Sequence, residues 1–223
     1  MSSERTGRYV RIEGSDGTGK STQIELAKHY SQQHGLDTVF VREPGGTEFG
    51  NEIRSLLLTN TKHNLSPEVE LALFTADRLH TCNEIILPAL VQGKTVISDR
   101  GVESTVCYQS AGGGIDAQKI MDVSRLLLPE WYMQPDELAI LAISRSLRRQ
   151  RLTDRAGVAA LDKIESRDDS YGDRVHAAYQ TLFELPHATV IDASADPETV
   201  FEALKPLLFG ASIIRAIHQS HSS

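Results

Sequence analysis

Residues 14–21 read Gly14-Ser15-Asp16-Gly17-Thr18-Gly19-Lys20-Ser21, a glycine-rich run closing on a lysine and a hydroxyl. That spacing, GxxxxGK[ST], is the phosphate cradle of P-loop proteins when it follows a strand and opens a helix. Glycine lets the backbone curl so that successive N–H groups point inward at phosphate oxygens, and the helix behind adds the positive end of its dipole. In such a loop Lys20 bridges the β- and γ-phosphates and Ser21 offers its hydroxyl to Mg²⁺.

Three further groupings suit the same chemistry. Asp99-Arg100 follows the apolar run TVIS, at the strand end from which a doubly wound sheet faces its ligand crevice. There Asp99 can hold a metal or its water shell and Arg100 a forked cation between donor and acceptor, although such a pair can equally be a surface ion pair. Arg145, Arg148, Arg149, Arg151 and Arg155 place five arginines within eleven residues of an acidic chain, with Lys163 beyond Gly157. A phosphate nucleophile is already ionised and needs little base catalysis, but two polyanions brought end to end need concentrated positive charge and an excluded solvent, which a basic lid supplies. Arg42-Glu43-Pro44-Gly45-Gly46-Thr47 leaves a second strand at the P-loop edge. Phe74 and Arg78, four apart on a helix, put a ring and a planar donor on one face. That pair suits a nucleobase, and it equally suits a core phenylalanine beside a surface arginine.

The elements that must position these groups are legible as alternating short β-branched runs and longer amphipathic stretches. Strands are expected at Tyr9 to Glu13, Thr38 to Arg42, Thr95 to Ser98, Leu138 to Ile143 and Thr189 to Ile191. Helices are expected from Ser21 to Gln33, ending at Gly35, and from the capping Ser66-Pro67 to about Leu90. Five apolar strands with helical crossovers imply an α/β chain with a parallel sheet covered on both faces. With 40% hydrophobic residues, 223 residues are expected to form one domain, with a lid at 145–165 and a flexible tail over 210–223, where His218 and His221 have no evident ligand role.

Net charge −7 argues against general nucleic-acid binding. Cys82 and Cys107 lack metal-like spacing and read as buried free thiols. Met1 to Arg8 is polar, and no apolar run approaches the roughly 20 residues that span a bilayer, so no membrane partner and a reducing cytoplasm are expected.

The motifs together resemble those of thymidylate kinases: IEGSDGTGKST, VREPGGTEFGNEIRSLLL, the Phe74 to Arg78 segment, SDRGVESTVCYQSAGGGI and LDKIE stand in that family's order and spacing from Tyr9 to about Phe209. The resemblance implies a P-loop kinase fold, a five-stranded parallel sheet flanked by helices with a helical lid, and transfer of the γ-phosphoryl of Mg·ATP to dTMP by a homodimer. It implies a donor site of Gly14 to Ser21 with Thr22, and chemistry carried by Lys20, Asp99, Arg100 and a lid arginine among Arg149, Arg151 and Arg155. It implies a dTMP site in which Phe74 stacks on thymine and Arg78 meets its 4-carbonyl. Ser104, Thr105 and Gln109 serve that site, and Tyr108 lies beside the 2′ position. Asp16 contacts the 3′-hydroxyl, and Arg42, Arg54 and Arg100 surround the acceptor phosphate, with Glu43 beside them. The P-loop carries no arginine while the lid carries several, which resembles the bacterial type. Two positions depart from the family pattern: Gly101 where an aromatic or histidine usually follows Asp-Arg, and Lys163 where arginine is usual. The competing readings are a kinase for another monophosphate or a deoxynucleoside, and a P-loop switch protein, against which the missing NKxD motif and the basic lid both count.

Overall fold

The computed structural model describes residues 5–59, 65–156, 164, 167 and 169–220. Its centre is a five-stranded sheet of β1 (Arg8–Glu13), β2 (Thr38–Arg42), β3 (Thr95–Asp99), β4 (Glu137–Ala142) and β5 (Ala188–Asp192). The strands are all parallel, in the order β2-β3-β1-β4-β5. The five expected strands are all present, with ends shifted by a residue or so. Because β1 has β3 on one side and β4 on the other, the chain reverses its winding direction at β1, and a crevice opens at the C-terminal strand ends.

The helices are α1 (Lys20–Gln33), α2 (Glu48–Leu58), α3 (Pro67–Thr81), α4 (Leu87–Val91), α5 (Val102–Thr105), α6 (Ala117–Leu127), α7 (Glu130–Met133), α8 (Arg145–Ala156), α9 (Asp169–Thr181) and α10 (Pro197–Ser220). Ser66 caps α3 through its side chain, as the Ser-Pro start implies. The single helix expected from there to Leu90 is broken by a π-helical turn at Cys82–Ile86. Pro88 has no N–H for the carbonyl of Glu84, and the wider turn lies where that bond is missing. A second π-helical stretch, Val106–Gly112, follows α5 and carries Tyr108 and Gln109. At the C-terminal end α10 runs through Gly210 to Ser220, where the sequence suggests a tail without structure; His221 lies outside the described residues.

Alternation along β1 sorts its side chains onto two faces. Val10 and Ile12 pack with Ile24 and Ala27 of α1 and Phe201, Leu204 and Leu208 of α10. Tyr9, Arg11 and Glu13 point the other way, and all three are fully buried. Cys82 and Cys107 are buried free thiols. No helix among the described residues is long and apolar enough to cross a membrane.

Candidate active site

One cavity of about 460 Å³ lies at the C-terminal edge of the sheet, where β1, β2 and β3 each deliver a loop. From β1 comes the glycine loop, with Gly17 and Gly19 at φ +86° and +93°, a conformation L side chains rarely adopt. Gly17 is also crowded: a Cβ there would lie 3.2 Å from the Arg148 carbonyl oxygen and 3.3 Å from Leu152 of α8, so α8 rests directly on the loop. Asp16, Gly17, Gly19, Lys20, Ser21 and Thr22 line the cavity, while Gly14, Ser15 and Thr18 form the loop behind them. The first turn of α1 has neither a side-chain cap nor an acidic residue, which leaves its N–H groups for an anion.

Lys20 Nζ donates to the carbonyls of Gly14 (2.6 Å) and Ser15 (3.1 Å). Burial, with nearby Arg100 second, brings its pKa down to about 8. Asp99 lines the same cavity, and its Oδ1 is buried with no partner among the described residues.

Arg100 is the one non-glycine residue at positive φ (76°) among those described. Its guanidinium lies over the Tyr108 ring at 5.3 Å and donates to Asp16 (2.6 Å), Ser104 Oγ (3.0 Å) and the Tyr179 hydroxyl (3.0 Å). The Tyr108 hydroxyl also donates to Asp16. Burial opposes the Asp16 anion, but Arg100, Lys20 and Tyr108 outweigh it and hold the carboxyl below its usual range.

Arg78, 2% exposed, donates through Nε to Glu43 (2.8 Å) and through Nη2 to the Gly101 carbonyl (2.9 Å) and Thr105 Oγ1 (3.0 Å). Its Nη1 is buried with no partner among the described residues. The even choice left by the Phe74–Arg78 spacing is resolved against a surface arginine: Arg78 is buried and both residues line the cavity. Arg42, Glu43, Arg54, Ser104, Thr105, Tyr108 and Gln109 line it as well.

The arginines of α8 divide. Arg151 and Arg155 line the cavity, whereas Arg149 and Arg145 both pair with Asp173 on the exposed side of α9. Arg148 is buried against the glycine loop. Ile164 lines the cavity, and Gly157 and Lys163 lie outside the described residues.

Several residues that brace the cavity without lining it are given no role by the motifs. Arg11, fully buried, donates to both Glu103 oxygens (2.7 and 2.6 Å) and packs on the rings of Tyr9 and Tyr132. It fills the space a side chain at position 101 would take, since a Cβ on Gly101 would fall 2.3 Å from Arg11 Nε. Glu13 anchors the turn at Arg100, His176 contacts Ser15 Oγ at 3.0 Å, and Glu70 accepts from Gln109 and from Arg167. The available signal is a pair of charges inside the apolar run YVRIE, which a central strand must neutralise.

Comparison with known proteins gives a consistent picture. Residues 12–204 match the sequence profile described as thymidylate kinase. The thymidylate kinase of an Exiguobacterium species is 36% identical over 194 residues, covering 86% of this chain and 88% of the relative. That of Dichelobacter nodosus is 36% identical over 199 residues, covering 89% and 96%. The crystal structure of thymidylate kinase from Ehrlichia chaffeensis superposes with a TM-score of 0.69 at 30% identity, covering 90% of this chain and 98% of that one.

Proposed function

Because the chain belongs to the thymidylate kinase family, and so transfers the γ-phosphoryl of ATP to dTMP, we propose that the cavity at the sheet edge is where the two nucleotides meet phosphate to phosphate. The observation that carries this reading is the set of groups that one cavity gathers: bare helix N–H groups and Lys20 from the glycine loop, Arg100 bonded to Asp16 of that loop and to Ser104, and Phe74, Arg78 and Gln109.

The donor triphosphate lies on the loop of residues 14–21 and Thr22, with Lys20 reaching its β- and γ-phosphates. The dTMP phosphate lies against Arg42, Arg54 and Arg100, with Glu43 holding Arg78. Thymine stacks on Phe74 and accepts at its 4-carbonyl from the unpaired Nη1 of Arg78. Ser104, Thr105 and Gln109 face the nucleotide's edge, Tyr108 crowds the 2′ position and Asp16 takes the 3′-hydroxyl. The acceptor phosphate is ionised at neutral pH, so the protein's work is alignment and charge neutralisation, not proton abstraction. Arg151 and Arg155 supply the lid's share of that charge; Arg149, held by Asp173, does not.

The oxygen donors fit Mg²⁺. Ser21 and Asp99 line the same cavity, Asp99 Oδ1 having no partner among the described residues, a hard-oxygen set of the kind that holds this ion together with phosphate oxygens. When bound, Mg²⁺ neutralises charge on the β- and γ-phosphates. We also read the protein as one domain acting in the cytoplasm as a homodimer. The dimer reading draws support from the exposed apolar side chains Phe49 and Leu56 of α2 and Val69 of α3, on two helices packed together.

Phe74→Ala tests the acceptor assignment. The KM for dTMP should rise roughly 10- to 100-fold through loss of about 1–3 kcal/mol of stacking, with the KM for ATP little changed. Equal losses for both nucleotides would contradict the placement.

A further inference from the structure

Glu13 is the last residue of β1, is fully buried, and is not among the residues that line the cavity. Four donors converge on it instead. Oε1 accepts from the backbone N–H groups of Gly101 (2.7 Å) and Ser104 (3.1 Å), and Oε2 from the hydroxyls of Ser104 (2.8 Å) and Tyr179 (2.9 Å). All four belong to the surroundings of Arg100. Gly101 follows it directly, Ser104 stands in the first turn of α5 just beyond, and the two hydroxyls are the ones that accept from Arg100 Nη1.

The backbone of Arg100 needs such support. At φ 76° it holds a left-handed conformation that costs a non-glycine residue about 1–2 kcal/mol. Its N–H donates to Ile12 O (3.0 Å), Ser98 Oγ donates to its carbonyl (2.9 Å), and the next N–H, that of Gly101, ends on Glu13. The turn is therefore clamped from β1 on one side and β3 on the other. Burial, with Glu103 second, outweighs Arg100, Ser104 and Lys20 and raises the Glu13 carboxyl above its usual range. The two backbone N–H groups aimed at Oε1 could still end on an amide oxygen, but the Ser104 and Tyr179 hydroxyls donate to Oε2, and an amide NH₂ in its place would leave both without their acceptor.

We propose that Glu13 is a positioning residue for phosphoryl transfer: its carboxylate fixes the left-handed turn and the hydroxyl pair that together aim the Arg100 guanidinium into the cavity. The inference rests on the reading of Arg100 given above and deepens it, since Glu13 touches no nucleotide and acts through Arg100 alone.

The test is a mutant cycle read in kcat. Glu13→Gln keeps the volume and one acceptor but turns an NH₂ toward groups that need an acceptor. We expect kcat to fall roughly 10- to 100-fold, the cost of misaligning a charged group by about an ångström, with the KM for ATP unchanged within about twofold. Arg100→Lys should lower kcat on its own, and adding Glu13→Gln to it should cost no more than about twofold further. In thermal melts Glu13→Gln should lower Tm equally with and without Arg100→Lys, which separates positioning from general destabilisation. Losses in kcat that multiply across the two substitutions would overturn the proposal while leaving the site reading intact. No loss of kcat from Arg100→Lys would overturn both. Should Glu13→Gln not fold, Tyr179→Phe carries the same cycle: it deletes one hydroxyl that joins Glu13 to Arg100, and its kcat loss must likewise vanish in the Arg100→Lys background.

Discussion

Gly101→Ala isolates how the buried charges are packed. The backbone there is extended, at φ −166°, so alanine meets no conformational penalty. It meets Arg11 instead, with the new Cβ 2.3 Å from Nε, 2.4 Å from Cδ and 2.7 Å from Cζ. An exposed arginine would swing aside, but this one is fully buried, donates to both Glu103 oxygens and is held between two tyrosine rings. Moving it leaves one half of a buried ion pair poorly compensated, at roughly 3–5 kcal/mol. For a chain of this length about 2–4 °C accompanies each kcal/mol, so Tm should drop by about 6–20 °C in calorimetry or a circular-dichroism melt. The control removes the obstacle. In an Arg11→Leu/Glu103→Leu background, where exchanging a buried pair for apolar residues is often near neutral, Gly101→Ala should cost less than about 1 kcal/mol. A drop below about 2 °C in the parent protein, or the same drop in both backgrounds, would refute the reasoning.

Three other outcomes follow from the site. Lys20 keeps its charge below a pKa of about 8 and loses it above; kcat/KM for ATP, which reports the free enzyme, should fall above pH about 8. A limb first seen above pH about 9.5 would contradict the burial of the ammonium. Tyr108→Ala removes the ring beside the 2′ position and should narrow the preference for dTMP over its ribose analogue roughly tenfold, as steric discrimination by one group allows; an unchanged ratio counts against that role. Arg151→Gln should lower kcat by about 10²-fold, as loss of one charge-stabilising donor does. Arg149→Gln, whose partner pairs at the surface, should change it by less than about threefold. The reverse ranking would reassign the lid.

What the sequence conveys and what it withholds divide along physical lines. The sheet is readable because each buried parallel strand is a short apolar run set off by turn residues, and the P-loop because its spacing is dictated by backbone geometry. Part of the cavity wall is readable through REPGGT and the STVCYQ run, whose Arg42, Glu43, Thr105, Tyr108 and Gln109 line it. The break in the helix after Thr81 is not, since a π turn leaves no periodicity of its own and only Pro88 hints at it. Nor is the division among the arginines of α8, because Asp173, which draws Arg149 away, lies 24 residues on and reaches it only through tertiary packing. Arg11 and Glu13 are visible as anomalies in a core strand. Their partners, Glu103 and the Arg100 turn, are set by the pairing of β1 with β3, and no local pattern reveals it.

The claim most open to direct attack is that one cavity seats both nucleotides with their phosphates facing across Arg100. Titration calorimetry with a two-headed ligand, thymidine and adenosine joined 5′ to 5′ through five phosphates, examines it in a single step. The account predicts one ligand per chain, displacement by either ATP or dTMP, and binding weakened by both Phe74→Ala and Arg100→Ala. Two ligands per chain, or displacement by only one of the two nucleotides, would contradict it.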